Sequence, residues 1–368
     1  MKKNILKIFA MLLAVALLAG CAGTTVVVGE TQAAAAATEA PKATTAATAP
    51  AGQTDGTTSA TESVPVKTGI SVSTNISDSA SVADGQEGVA KFDVTIAAVT
   101  VDESGVIRAC KIDSVPASVK FDATGAIVSD IAAEILTKNE KGADYGMVAY
   151  GGAIAEWDAQ VAALCDYAVG KTVEELKNGA IDASGKAPEG SDLASSATIY
   201  LGGYVSAIEA AVNNAADLGA RSGDTLALVT VNSLGKSAAA TAEKDGAAQL
   251  DVDIAAVTSW EGVISSCIID SVQAKVSFDT TGTITTDLTV PVQTKNELGA
   301  GYGMVAYGGA IAEWNEQAAS FASYVTGKTA EEVAGIAVSE GKPTDADLAS
   351  SVTIKIGPFQ ALIAKALG

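Results

Sequence analysis

Alternating apolar and polar residues dominate one stretch of the chain after residue 68 and predict β-strands. The alternation runs through Phe92–Val101, and a turn at Gly105 leads into a β-branched run that ends at Ile112. A shorter run, Val119–Phe121, precedes the turn Asp122–Gly125. Runs of this kind separated by glycine turns predict an antiparallel meander.

The residues that follow these strands have the spacing of amphipathic helices. Apolar side chains recur at intervals of three and four, at Ile154, Trp157, Val161, Leu164 and Ala168, and again at Ile311, Trp314, Ala318, Phe321 and Val325. Thr172–Glu175 and Thr329–Glu332 have the pattern of a capping box that begins a short helix. A last helix is predicted from Val205, Ile208 and Val212, and in the second stretch from Phe359, Leu362 and Ala366.

The same order of strands and helices occurs twice. The block Thr137–Trp157 matches Thr294–Trp314 at 19 of 21 positions, and so long a period indicates duplicated domains, not a solenoid. We therefore predict an α+β protein with two tandem copies of an antiparallel-sheet-plus-helices domain, at residues 69–215 and 225–368. The short connection between them, with Gly219 and Gly223, would let the two domains pack closely.

The first 68 residues have a different composition. Three lysines precede the apolar stretch Ile8–Leu18, which is too short to span a bilayer and predicts a signal peptide at residues 1–20. Leu18–Cys21 resembles a bacterial lipobox, which implies cleavage before Cys21 and a lipid on its sulfur. Residues 21–68 are rich in Thr, Ala and Pro, so we predict a disordered tether and a lipid anchor at the extracellular face of the membrane.

Charge and residue content exclude several classes of function. The formal net charge of −20 argues against binding nucleic acid or anionic lipid headgroups. Histidine is absent, which excludes Ser-His-Asp and Cys-His catalysis and histidine-ligated metals. Of the four cysteines, Cys110 and Cys267 occupy the same repeat position, whereas Cys165 is matched by Ala322. We expect no structural disulfide and too few thiolates for an iron–sulfur cluster, so a redox cofactor would be organic.

A short motif near the end of each copy carries the main chemical hypothesis. Asp192–Thr198 and Asp347–Thr353 share the pattern Asp-x-x-Ser-Ser-x-Thr, which resembles the site where a flavin transferase joins the phosphate of FMN to a threonine. The resemblance implies covalent FMN on Thr198 and Thr353. The other motif residues are Asp192, Ser195 and Ser196, and Asp347, Ser350 and Ser351. The small neighbours would leave the threonine accessible, and Asp192 would hold a divalent ion or polarise the hydroxyl during transfer. The alternative is a serine-rich turn capped by the aspartate.

A second block, repeated within the chain at the same spacing, has a composition typical of a pocket for a flat ring. In Tyr145–Trp157 and its copy Tyr302–Trp314, glycines beside tyrosine and methionine allow close backbone approach, and aromatic and thioether groups can stack on a ring. A lysine that precedes each block could stabilise a reduced, anionic flavin. The predicted pocket residues are Lys138, Tyr145, Met147, Lys295, Tyr302 and Met304. The tryptophans fall in phase with the apolar helix face and are predicted to be core residues.

Taken together, these features resemble the FMN-binding-domain lipoproteins of extracellular electron transfer in Gram-positive bacteria, of the tandem flavinylated, pheromone-encoding type. The resemblance implies two covalent FMN groups, a flavin transferase, a membrane electron donor and an extracellular acceptor such as ferric iron or free flavin. It implies an electron carrier and not a catalyst with acid–base residues. Family members often have glycine at the positions of Ser196 and Ser351, and alanine at that of Val352.

Two other functions stay open from the sequence. The first is an acidic surface lipoprotein that binds a small ligand or partner non-covalently, without covalent flavin. The second is a structural surface antigen without a cofactor.

Overall fold

Two separate antiparallel sheets, each followed along the chain by short helices, form the framework of the protein, and the predicted α+β class is confirmed. The computed structural model describes residues 63–368. The predicted signal peptide, Cys21 and all but the last six residues of the predicted tether lie outside them. The strands are β1 Lys67–Asn75, β2 Gly88–Val101, β3 Ile107–Phe121, β4 Thr225–Ser233, β5 Gly246–Trp260, β6 Val263–Phe278, β7 Val338–Ser339 and β8 Lys342–Pro343.

The helices are short and follow each sheet. They are α1 Lys138–Lys141, α2 Met147–Gly151, α3 Trp157–Ala168, α4 Val173–Ala180, α5 Gly202–Asn213, α6 Lys295–Leu298, α7 Met304–Gly308, α8 Trp314–Val325, α9 Ala330–Ala334, α10 Ala346–Ala349 and α11 Gly357–Leu367. The predicted capping boxes of α4 and α9 are confirmed, with Thr172 and Thr329 each accepting a hydrogen bond from the backbone N–H three residues on.

An antiparallel meander is present in both halves, with strand orders β1-β2-β3 and β4-β5-β6, but its first strands, β1 and β4, were not predicted. The separate strands predicted around Ile112 and Val119 are one continuous strand, β3. Pro116 does not break it, because β3 is an edge strand of its sheet and proline, which lacks an N–H, is tolerated there.

The helix α3 starts later than its apolar pattern predicts. Ile154 and Ile311 were expected on the buried faces of α3 and α8, but they precede these helices and are 56% and 58% exposed. Both helices begin at the tryptophan that follows a glutamate N-cap. The reason is that the preceding glycine-rich turn is closed by that glutamate, which leaves the isoleucine on its outside.

The sheets have two buried faces, and these contribute to different cores. In β2, Val94, Ile96 and Ala98 belong to a central core that also contains residues of β5 and β6. The alternate residues Ala97 and Val99 pack instead against α3, α4 and α5. The second sheet packs in the same way on α8, α9 and α11. Strand periodicity of two therefore places one sheet between its own helices and the other sheet.

The contacts between the halves include ring stacking, a hydrogen bond and an ion pair. The rings of Phe121 and Phe278 stack with their centroids 4.0 Å apart and their planes 2° from parallel. Gly88 allows this position of Phe121, because a Cβ atom there would lie 2.2 Å from the ring. Thr68 and Ser266 form a buried hydrogen bond between β1 and β6 (2.8 Å), and Lys365 of α11 forms an ion pair with Glu140 of α1. The two halves thus share the central core, and polar contacts also join them.

The residues that enter the fold pair with the connection between the halves. The backbone N–H of Val66 donates to Ala220, and that of Thr68 donates to Ala216 (3.0 and 2.9 Å). Val66 is buried, so ordered structure begins before the predicted boundary at residue 69. No helix within residues 63–368 is long and apolar enough to cross a membrane.

Candidate functional site

A cavity of about 480 Å³ in the first half brings together residues that are far apart in the sequence. Its lining includes the predicted pocket residues Lys138, Tyr145 and Met147. Ile199 and Tyr200, which directly follow the predicted acceptor Thr198, line it too. The remaining lining residues come from the sheet and from α3 and α5: Ser73, Thr95, Trp157, Gly203 and Tyr204.

Lys138 is held in the cavity wall by a local motif. Thr137 and Glu140 form a capping box that starts the single-turn helix α1, and Lys138 is its first residue. Its side chain is only 8% exposed. Its Nζ lies 3.3 Å from a carboxylate oxygen of Asp93 and 5.6 Å from the ring centroid of Tyr145. A buried ammonium needs such a partner, so Asp93 fixes the lysine where a ring could lie.

The Tyr-Gly-Met segment forms a tight turn closed by a carboxylate. Gly146 has φ +81°, and a Cβ atom there would lie 2.6 Å from the ring of Tyr150. The carboxylate of Glu156 accepts the backbone N–H groups of Met147 and Val148 at 2.8 and 3.0 Å. The turn therefore needs both the glycine and the glutamate, and it leaves the ring of Tyr150 93% exposed.

Trp157 is both a core residue and part of the cavity wall. It is 3% exposed, in agreement with the prediction that it is a core residue. The same side chain lines the cavity, and its Nε1 donates to the hydroxyl of Tyr204 at 2.9 Å. The Nζ of Lys138 lies 5.1 Å from its ring centroid.

A buried glutamine that sequence reasoning missed holds the acceptor threonine. The side-chain oxygen of Gln160 accepts the backbone N–H groups of Thr198 and Ile199 at 2.8 and 3.2 Å, and lies 3.4 Å from the Thr198 hydroxyl. Its amide nitrogen donates to the carbonyl of Ala155 at 2.8 Å. Gln160 is fully buried, whereas Thr198 is exposed. The hydroxyl is thus accessible to a reagent while its backbone is fixed.

The second half repeats these hydrogen bonds, although Thr353 is half-buried where Thr198 is exposed. Gln317 accepts the backbone N–H groups of Thr353 and Ile354 at 2.8 and 3.2 Å, and its oxygen lies 3.2 Å from the Thr353 hydroxyl. The sequence signal that could have found these glutamines is a polar residue in phase with the apolar stripe, three residues after each tryptophan.

The rest of the acceptor motif lies at the surface. Asp192, Ser195 and Ser196 are exposed, and so are Asp347 and Ser350, whereas Ser351 is half-buried. The alternative interpretation, in which the motif aspartate caps its own turn, is wrong for both copies. Asp192 makes no capping hydrogen bond, and in the second copy Asp345 caps α10 by accepting the N–H groups of Asp347 and Leu348. The motif carboxylates face solvent instead, beside the threonine loop.

Lys295, Tyr302 and Met304 also lie together, with different charges around them. The Nζ of Lys295 is 5.4 Å from the ring centroid of Tyr302 and 4.6 Å from that of Trp314. Burial lowers the pKa of Lys295, and the carboxylate of Asp253 opposes that shift. Burial also raises the pKa of Asp253. Met304 repeats the turn closure, with its N–H donating to Glu313 at 2.8 Å.

Two carboxylates lie behind these lysine turns. Asp113 accepts the backbone N–H of Asn139, and Asp270 accepts that of Asn296. Burial raises the pKa of Asp113, and it raises the pKa of Asp270 to about 6. Within residues 63–368 no group of three or more potential metal ligands is present.

Comparison with known proteins gives no relative. No protein-family model matches the chain, and no curated protein or solved structure matches it at a significant level. The chemistry of the site therefore rests on its own residues: an exposed threonine hydroxyl, a fixed backbone, and a cavity wall of aromatic, thioether and ammonium groups.

Proposed function

We propose that this chain is a lipid-anchored extracellular electron carrier with one FMN joined through its phosphate to Thr198 and another to Thr353. The observation that carries the proposal is the arrangement around Thr198. An accessible hydroxyl on a backbone fixed by Gln160 lies next in the chain to a cavity lined by Lys138, Tyr145 and Met147.

The residues present fit such a group. A cavity of about 480 Å³ is within the usual range for cofactor sites. Its wall offers aromatic and thioether surfaces for a flat ring and an ammonium for negative charge. FMN, when bound, would supply the electron-accepting ring, and the protein would supply position, partial exposure and electrostatics.

Each of the site residues has a distinct role in this proposal. Thr198 provides the hydroxyl oxygen that forms the phosphoester, and its exposure gives a transferase access. Gln160 holds the backbone of the loop, so the attached group has a fixed origin. Lys138, held by Asp93, provides positive charge within the cavity. Asp192 and Ser195 stay at the surface, where an incoming transferase would meet them.

The finer architecture belongs to the same proposal. We interpret the two halves as tandem copies of one FMN-binding-like domain, each with an acceptor threonine, a buried glutamine and a lysine turn. The predicted signal peptide, lipidated Cys21 and tether would hold both at the outer face of the membrane, between a membrane donor and an extracellular acceptor.

The test is flavin attachment at single residues. The chain is produced together with a flavin transferase, and flavin fluorescence is measured in a denaturing gel and by intact mass. We expect two flavins on the wild type, one on Thr198→Ala or Thr353→Ala, and none on the double variant. Thr241→Ala, which changes an exposed threonine outside both motifs, is the control and should keep two.

Gln160→Ala and Gln317→Ala test the positioning role. Each should reduce attachment at its own threonine only, since the other half retains its glutamine. Threonines that stay bare in every preparation would overturn the electron-carrier proposal and favour non-covalent ligand binding by a surface lipoprotein.

A further inference from the structure

Two buried thiols meet in the first half. Cys110 on β3 and Cys165 on α3 have their sulfur atoms 3.3 Å apart, and both residues are 6% exposed. They belong to the core between the first sheet and its helices. No disulfide was expected from the sequence, because that prediction considered only cysteines at matching positions of the repeat. Cys165, the neighbour of Cys110 in the fold, has no matching cysteine in the second half.

The second half provides the matched site without a partner. Cys267 on β6 corresponds to Cys110, and Ala322 on α8 corresponds to Cys165. Cys267 and Ala322 line a cavity of about 630 Å³. Buried single cysteines act as small apolar residues, which accounts for Cys267. It does not account for a second thiol placed in sulfur–sulfur contact with the first.

We infer that Cys110 and Cys165 form a structural disulfide in the exported protein. The two S–H bonds break and one S–S bond forms. The two electrons and two protons pass to an external disulfide, which is cleaved to two thiols. Disulfides form and persist outside the cytoplasm, so the inference rests on the proposed export but is independent of flavin attachment.

The timing of the reaction follows from burial. The hydrogen bond with Cys165, together with burial, raises the pKa of the Cys110 thiol, and only thiolates attack disulfides efficiently. The bond should therefore form while α3 packs on β3 and be protected from reductants afterwards. The bond would close a loop of 55 residues. It would link the sheet covalently to α3, the helix that contains Trp157 and Gln160.

Counting free thiols tests the pair directly. The full chain with Cys21→Ser retains three cysteines, Cys110, Cys165 and Cys267. It is isolated after export, denatured without reductant, alkylated with iodoacetamide and weighed. We expect one alkyl group, on Cys267, and three after reduction. Cys165→Ala, which installs the residue of the second half, should carry two alkyl groups with or without reductant.

A refolding arm separates the pair from export and from flavin. The same purified chain, produced without a transferase, is refolded with oxidised glutathione and should again expose only Cys267. A sample refolded in dithiothreitol throughout should have a melting temperature lower by on the order of 10 °C than the oxidised sample, whereas Cys165→Ala should melt at the same temperature after either treatment. Three alkyl groups in the exported chain or in the chain refolded with oxidised glutathione, or a bond that involves Cys267, would overturn the inference. Neither result depends on whether Thr198 carries flavin.

Discussion

The two halves hold their acceptor threonines alike but surround them with different chemistry. Gln160 and Gln317 make the same three contacts with the loops that follow them. In contrast, Tyr204 beside Trp157 is replaced by Phe359 beside Trp314, and the hydrogen bond to the indole is lost with it. The hydrogen bonds that fix the backbone are thus the same in both halves, whereas the side chains around them differ.

Charge is the second difference between the halves. In the first, Lys138 pairs with Asp93 alone. In the second, Thr95 is replaced by the half-buried Asp253, and Lys236 pairs with Asp251 nearby. If both threonines carry flavin as proposed, similar backbone contacts with different charges nearby would give two carriers of unequal potential. We expect the two sites to be equal in attachment and unequal in redox behaviour.

The largest expected effect tests whether the halves can be compared as independent units. Phe121→Ala removes a fully buried ring that stacks on Phe278. It should lower the free energy of unfolding by about 3–5 kcal/mol. Because the core is shared, the whole of residues 63–368 should still unfold in one transition, measured by urea denaturation with circular dichroism and tyrosine or tryptophan fluorescence. Two separated transitions in the wild type would show that the halves unfold independently.

A smaller effect distinguishes the lysine turns by pH. The folded pKa of Asp270, about 6, lies above its usual 3.8, so below pH 3.8 both states are protonated and ionisation costs nothing. Between pH 3.8 and about 6 the unfolded state releases its proton first, so stability falls as pH rises, by about 3 kcal/mol in full. Asp270→Asn should remove that fall.

The measurement for Asp270→Asn is the difference in unfolding free energy from the wild type between pH 4 and pH 7. That difference should grow in favour of the variant as pH rises. Asp113→Asn is the matched variant in the first half, where burial also raises the pKa, and it should change in the same direction. A difference independent of pH would mean that Asp270 is ionised in the folded state at pH 4.

The smallest effect sharpens the charge comparison itself. Lys138→Met keeps the bulk of a buried side chain and removes its charge. If a reduced, anionic flavin lies in the cavity, its midpoint potential should fall by about 30 mV for each 1.4 kcal/mol of stabilisation lost. Spectroelectrochemistry on the Thr353→Ala background isolates the first site. Lys295→Met on the Thr198→Ala background is the matched measurement for the second site. An unchanged potential in Lys138→Met would mean that Lys138 is not part of the proposed flavin site.

Local patterns were enough to predict much of the fold. Strand β2 and the two parts of β3, the capping boxes of α4 and α9, and the burial of Trp157 follow from side-chain spacing and from hydrogen bonds within a few residues, whereas β1 was not predicted. These are interactions that a short segment makes with itself or with one apolar face. The helix start at Trp157 was predicted too early, because Ile154 fits the same periodicity although a glycine turn holds it outside.

The sequence by itself determined the α+β class, the repeated order of elements and the candidate threonines, since each depends on neighbours in the chain. Only the tertiary structure decided what lies across from them. It joined Gln160 to Thr198 over 38 residues, Cys110 to Cys165 over 55, and the two sheets in one core. These contacts arise from packing between distant segments, and the spacing of residues along the chain contains no record of which faces will meet.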